Sequence, residues 1–486
     1  MIGDGVTLKS SKEGSNLVEV KGAAYLPYNA TNESYINKGE SAVSYLVNAG
    51  DGGQRIYGVY SNAVKAAEDN TATLMYDYQG GVRVDVEDTQ GILDLGGHTY
   101  TYSSNNAIVY STKDNGSITI KNGTMITTNS KSDGIDMLGS NTSVRLEKVD
   151  MTVSGETYGI VTNGSESNNA ITLKNSTLNV PDGFGIYFPS SGSVTIEDSV
   201  INAKYCGVQM CAGNLTVKGD KTAITTTGEP QTKTEDDGPI ADGAAISIIN
   251  RSYPGGTPTM SISGGMFSSE KADTVKAYTF SNTDKIEGEW EGAKEFLSIS
   301  GGTFSSDVTA YLDDGCKLDE NGSVVPSNDS VASIEGKGYA SLDAAITAAQ
   351  DGDTITILKA AEDESGYKLN GGLTYSGKAI TIKAASGVDV KFDMSTGVAL
   401  HGAKITFEGV TFEYKTNNNY VGLQHTDTMV YNNCVFNGQM FLYGASETFN
   451  DCTFNQNSAD AYNVWTYGAK EVEFNDCTFN CAGESV

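Results

Sequence analysis

Four six-residue stretches near the end of the chain, 407–412, 431–436, 449–454 and 474–479, superimpose without a gap. Aligned, they give an aromatic position (Phe407, Tyr431, Phe449, Phe474), a polar one (Glu408, Asn432, Asn450, Asn475) and a turn position (Gly409, Asn433, Asp451, Asp476). A small apolar position follows (Val410, Cys434, Cys452, Cys477), then Thr or Val, then a constant Phe (Phe412, Phe436, Phe454, Phe479). The pattern returns after 24, 18 and 25 residues. Apolar positions alternate or sit in short runs bounded by Gly, Asn and Asp, with no 3.6-residue stripe, so the unit is β rather than helical. Such a repeat cannot bury its own apolar face and is stable only when stacked on the next, which makes the chain a solenoid. Stacking places like residues about 4.8 Å apart, so the Asn column predicts an amide ladder and the Phe and Cys columns a dry interior.

Upstream, coils begin at 93–95, 118–120, 144–146, 171–173, 194–196 and 215–217, in steps of 25, 26, 27, 23 and 21 residues. A second column, Gly134-Ile135, Gly159-Ile160, Gly185-Ile186 and Gly207-Val208, keeps nearly the same step, which argues against coincidence. Looser coils are expected at 245–249, 261–267 and 298–304, interrupted by polar excursions at 229–242 and 285–295. Two runs break the β pattern. Tyr60, Ala63, Val64 and Ala67 form an i, i+3, i+4, i+7 stripe that predicts a helix over 61–69 capped by Ser61. Leu342, Ala345, Ile346 and Ala349 repeat the device over 341–350, with Ser341 as N-cap and Gly352 as the stop. Each run leads into a strand, 71–75 or 354–358, so each helix reads as a lid over a first coil. The expected organisation is therefore two copies of one module, 56–329 and 330–486, the second truncated at its C-terminus because the sequence stops straight after a full repeat. Residues 1–55 show no repeat and are left unassigned, apart from a strand at 17–20 and a helix-like run at 42–47.

These columns resemble the right-handed parallel β-helix, the pectin-lyase-like fold. The implied class is all-β, with two tandem right-handed parallel β-helices, each opened by a short capping helix. The runs at 301–312 and 351–358 further resemble segments of large repetitive surface proteins of anaerobic gut bacteria. That resemblance implies an adhesin-like protein, secreted or on a bacterial cell surface, that binds carbohydrate or protein ligands.

Composition narrows the partners. With 32 Lys and Arg against 61 Asp and Glu, the net charge of −29 argues against nucleic acid and anionic lipid surfaces. It equally disfavours a polyanionic substrate such as pectate unless a cation intervenes. No stretch approaches the roughly 20 apolar residues of a membrane span, so no membrane insertion is expected. Seven Cys are too few for a disulfide scaffold, and the three in one column read as small buried apolar groups. The three His (His98, His401, His425) are dispersed and read as solvated turn residues.

Polysaccharide lyases and glycosidases are the best-known enzymes of the fold, and they need a Ca²⁺ cradle beside a base, or a carboxylate pair. Asp133, Glu156 and Asp182 precede the second column in three consecutive coils, with Asp136 just beyond, a spacing compatible with a shared cation or an acid/base pair. Capping of backbone amides explains the same residues, and 61 acidic residues make such a coincidence ordinary. The triplets 351–353 and 235–237 offer carboxylates for Ca²⁺, with helix termination and loop solvation as the simpler accounts. No catalytic residue, metal ligand or cofactor is assigned. Tyr158, Phe184, Tyr187 and Tyr205 gather around the same column, and aromatic faces beside Asp are what sugar rings stack on, although a half-buried aromatic ladder is the alternative. The expected role is a non-catalytic segment binding a glycan or host protein through Asp133, Asp136, Glu156, Tyr158, Asp182, Tyr187 and Tyr205. A secreted lyase or glycoside hydrolase is the alternative, and a structural stalk the third.

Overall fold

The computed structural model describes residues 20–21, 24–33, 36, 42–86, 89–232, 238–370, 378–396, 398–400, 404–414, 422–425, 428–443, 446–456, 462–466 and 468–482. The chain is all-β, a β-solenoid of about 15 turns. It divides into two compact units, one of 1–312 with 318–323, the other of 313–317 with 324–486. Among the described residues no helix is long and apolar enough to cross a membrane.

In the first unit successive turns build three parallel columns, Ser117–Thr127 and Ser143–Thr152 each running through two of them. The first column pairs Ala72 with Leu93, then Ile120, Leu146, Leu173, Ile196, Val217, Ile262 and Ile299 in unbroken register. The second carries Val84, Val109, Ile135, Ile160, Ile186, Val208, Ile246 and Val275. A third, which sequence did not separate from the first, stacks Tyr100, Met125, Met151, Leu178, Ile201, Ile224, Phe267 and Phe304. Two expectations move. Leu93 pairs with Ile120 and not with Ile118, a slip of two residues that keeps the same side chains inside because strand alternation has period two. Residues 245–249 open no new coil: Ile246–Asn250 continues the second column on Val208, and the first resumes at Thr259–Ile262.

Corners between the first and third columns turn through a left-handed residue: Asn122, Lys148, Asn175 and Asp198 all have φ between 46° and 59°. Asn and Asp tolerate that conformation, whereas Lys148 meets the Cβ clash in full. The Val149 N–H, just past this corner, donates to Ser176 Oγ one coil up, at 3.1 Å.

Residues 42–47 are not helical. Tyr45–Asn48 is a strand that alternates buried and exposed, antiparallel to Gln54–Tyr57 and, through Tyr45 and Leu46, to Thr71–Leu74. A short apolar run carries no period long enough to separate the two states, and the edge of the first coil decides. The strand expected at 17–20 lies outside the described residues except for Val20. The helix predicted over 61–69 is Tyr60–Ala66; its N-cap is Val59, without a side-chain cap bond, so Ser61 sits inside it. Its stripe is buried as expected, and Gly91 leaves room for it, since a Cβ there would meet Val64 within 2.6 Å.

In the second unit, Leu342–Ala348 is the other helix, and Ser341 Oγ accepts the Ala344 N–H at 3.1 Å. The helix ends at Ala348, and Gly352, at φ 89°, belongs to the turn before Thr354–Ile357. Six parallel strands follow one another from Ile355 through Ile382, Phe407, Tyr431 and Phe449 to Phe474. The Phe407, Tyr431, Phe449 and Phe474 rings stack at 5.7, 4.7 and 5.1 Å. Phe412, Phe436, Phe454 and Phe479 stack beside them at 5.0, 4.8 and 4.7 Å, and the two piles meet edge to face. The expected amide ladder is present, Asn475 donating to Asn450 at 2.9 Å and Asn450 to Asn432 at 2.8 Å. A second ladder runs Asn480, Asn455, Asn437, Glu413, each step 2.9 Å. Cys434, Cys452 and Cys477 are free thiols stacked one coil above another, each contacting the carbonyl oxygen two residues earlier.

Two substitutions test this account by thermal unfolding. Phe449→Ala removes the centre of one ring pile and should cost about 3–5 kcal/mol. Lys148→Asn relieves the left-handed corner and should raise stability by about 1 kcal/mol; an unchanged midpoint in either variant contradicts the corresponding contact.

Candidate functional site

Strand alternation turns Asp136, Val161, Tyr187, Gln209, Ser247 and Lys276 to the outer side of the second column, opposite the buried Ile135, Ile160 and Ile186. On this face the expected aromatic residues do meet. Tyr158 lies 5.9 Å from Phe184 and 6.3 Å from Tyr187, and Phe184 lies 5.3 Å from Tyr205. Tyr187 and Tyr205 are only 5% and 7% exposed and Tyr158 and Phe184 are half-buried, so the group is a largely covered ladder and not an open platform.

The carboxylates do not converge on one point. Asp133 Oδ1 accepts the Tyr158 N–H at 3.0 Å, a coil-to-coil tie to the backbone. Glu156 accepts from the Tyr205 hydroxyl at 2.9 Å and lies 3.8 Å from Lys204 Nζ, while the exposed Asp182 also acts on Lys204. Lys204 in turn lies over the Tyr205 ring at 4.8 Å. Asp136 differs from all three. It is 8% exposed, and among the described residues its Oδ1 has no hydrogen-bond partner. Burial, reinforced by the neighbouring Asp133 charge and opposed by Arg83, pushes its carboxyl up to about 8. Arg83 is itself engaged, its Nε 2.6 Å from Asp85 and its guanidinium over the Tyr110 ring.

The part that sequence missed is the wall built by residues 238–256. Gln209 holds it with both ends of its amide, donating to Ile240 O and accepting from Ile240 N–H, each at 2.8 Å. Asp242 is buried, and burial raises its carboxyl although Ser247 Oγ donates at 2.6 Å, Tyr278 Oη at 2.8 Å and Ala244 N–H at 3.1 Å. Cys206 Sγ is 3.3 Å from Ser247 Oγ, fully buried and pushed well above the usual thiol range, so it is no nucleophile. Arg251 donates to Gly238 O at 2.6 Å and to Asn282, fixing the far side. Between this wall and the turns of the second column opens a cleft of about 390 Å³. Tyr187, Tyr253, Leu138, Pro189 and Pro254 give it apolar surface, and Thr162, Asn163 and Ser165 a polar rim. The available signal was indirect: Leu215 pairs with Met260, and the unusually long coil between them marks an insertion.

Asp351 and Asp353 accept backbone N–H groups of Ala379 and Gln350 at 2.7 Å, so they shape a turn. Residues 235–237 and His401 lie outside the described residues, as does the side chain of His425. His98 Nδ1 is 3.3 Å from Asp77 in the first unit. Among the described residues no three His, Cys, Asp or Glu side chains are placed to hold a metal ion. No protein-family model matches the chain, and no curated protein matches it either.

The Asp136 carboxyl sets a pH test. Its folded value near 8 exceeds the usual value of about 4, so between those limits the folded state keeps a proton that the unfolded state loses. Stability contributed by the protonated form is complete at low pH and is lost as pH rises toward 8, a direction that Asp133 and Asp242 share. Asp136→Asn should melt with the wild type near pH 4 and above it by a margin that widens to several degrees near pH 8; parallel curves at every pH would assign the titration elsewhere.

Proposed function

We propose that the chain is a non-catalytic, ligand-binding segment of an extracellular bacterial surface protein, adhesin-like, with a glycan as its ligand. The observation that carries this reading is the cleft beside Tyr187 and Tyr253, where aromatic and proline surface is bordered by hydroxyl and amide groups. Neutral sugars present one apolar face and a rim of hydroxyls, and such a lining matches both. The charge of −29 favours a neutral glycan over a polyuronate. The placement outside a bacterial cell rests on the resemblance of residues 301–312 and 351–358 to gut-bacterial surface repeats. In the same reading the units are two tandem right-handed, pectin-lyase-like β-helices, and helices Tyr60–Ala66 and Leu342–Ala348 are the caps of their first coils.

One observation favours a second reading, a polysaccharide-cleaving enzyme. Asp136 is a buried carboxyl that holds its proton near neutrality beside a second carboxyl, Asp133, as a general acid must. The engagement of Asp133, Glu156 and Asp182 in coil-to-coil contacts weighs against it.

A glycan array probed with the wild type and Tyr253→Ala, beside a reducing-sugar assay on mixed neutral polysaccharides, separates the two. Saturable binding that weakens at least about tenfold in Tyr253→Ala, with no sugar release, is the expected outcome. Sugar release abolished by Asp136→Asn overturns it in favour of the enzyme, and binding indifferent to Tyr253 removes the cleft from the account.

A further inference from the structure

Tyr253 reaches the cleft from a turn, not from a repeat strand, and a buried guanidinium holds it there. The turn follows Ile246–Asn250, the strand that continues the second column on Val208. Asn250 Oδ1 accepts the Ser252 N–H at 3.3 Å, and Ser252 adopts φ 55°, the left-handed conformation in which a Cβ crowds the backbone. Arg251 is 5% exposed, and its guanidinium lies over two rings, 5.0 Å from the centre of Tyr253 and 5.2 Å from that of Phe280. Its Nη1 donates to Gly238 O at 2.6 Å and its Nε to Asn282 Oδ1 at 2.9 Å. Gly238 and Tyr253 both line the cleft, so one side chain ties two points of the wall together. The Tyr187 hydroxyl, from the second column, hydrogen-bonds the Tyr253 side chain. With the guanidinium over one face, what Tyr253 offers the cleft is its other face and its edge.

We propose that Arg251 is a positioning residue for ligand binding, which fixes Tyr253 as a one-sided stacking platform for a single pyranose ring and does not itself touch the ligand. This rests on the reading of the cleft as a site for a neutral glycan. A platform that is already in place avoids the entropy cost of ordering a ring and its turn when the sugar arrives. Affinity therefore depends on a residue that does not line the cleft. The strain at Ser252 belongs to the same device. A left-handed residue with a side chain persists only where its surroundings over-determine it, and here Asn250 on one side and the pinned Arg251 on the other do so.

Two measurements on the full-length chain test this: calorimetry with cellohexaose, xylohexaose and maltohexaose, and nitration of Tyr253 by tetranitromethane mapped by mass spectrometry, which needs no ligand. Arg251→Met keeps an unbranched stem between the two rings but loses both hydrogen bonds. It should weaken whichever probe binds at least about tenfold and should speed the nitration of Tyr253. Arg251→Lys retains a charged donor without the planar fork and should recover part of both effects. Ser252→Gly takes the same φ without the Cβ clash, so it should melt with the parent yet bind more weakly. A merely structural turn would move stability and affinity together. Affinity and Tyr253 nitration both unchanged in Arg251→Met, or a Ser252→Gly variant that binds as the parent does, overturn the inference while leaving the cleft as a glycan site. Should no probe bind the parent, the glycan reading falls, and nitration alone decides whether Arg251 holds Tyr253.

Discussion

Vertical register, like residue above like at the strand spacing of about 4.8 Å, is the constraint on which the rest of the structure depends. Each turn leaves one apolar edge open, and only a turn with matching side chains at matching positions can close it. In the second unit this condition produces ring on ring, amide on amide and thiol on thiol, because identical side chains at that spacing satisfy one another. In the first unit the same condition is met by interchangeable aliphatic residues, so Ile, Leu and Val trade places along the columns without disturbing the pairing.

Because the interior is already closed by stacking, the outer faces of the coils are free to differ, and the candidate site lies there. The outer face of the second column begins as a ladder of aromatic rings and ends under an inserted wall. That wall is anchored by buried polar contacts: a glutamine pairing with both groups of one peptide, and a buried aspartate that accepts three hydrogen bonds. Buried polar groups of this sort specify one geometry, since any displacement leaves them unpaired. The carboxylates of the preceding coils serve the stack itself, tying a backbone amide or a tyrosine hydroxyl of a neighbouring turn, so a row of acidic residues in a solenoid is first a structural device.

The cleft at Tyr253 depends on the insertion for one of its walls. A repeat scaffold can gain or lose such surfaces without altering its core, since the outward residue of each strand takes no part in packing the interior.

The sequence by itself determined whatever recurs along it. The Phe, Asn and Cys columns, the αL turn residues Asn433, Asp451 and Asp476, and the buried stripes of both helices were legible because in a solenoid a period in sequence is a contact in space. Tertiary structure alone decided what does not recur. Tyr45–Asn48 became a strand because the first coil offered an edge, Leu93 settled two residues from its expected partner because both registers bury the same face, and Asp136 lost its water to residues from other coils. The wall at 238–256 joins Gln209 to Ile240 and Arg251 to Asn282, pairs without any shared pattern, so only the folded chain brings them together to form the cleft.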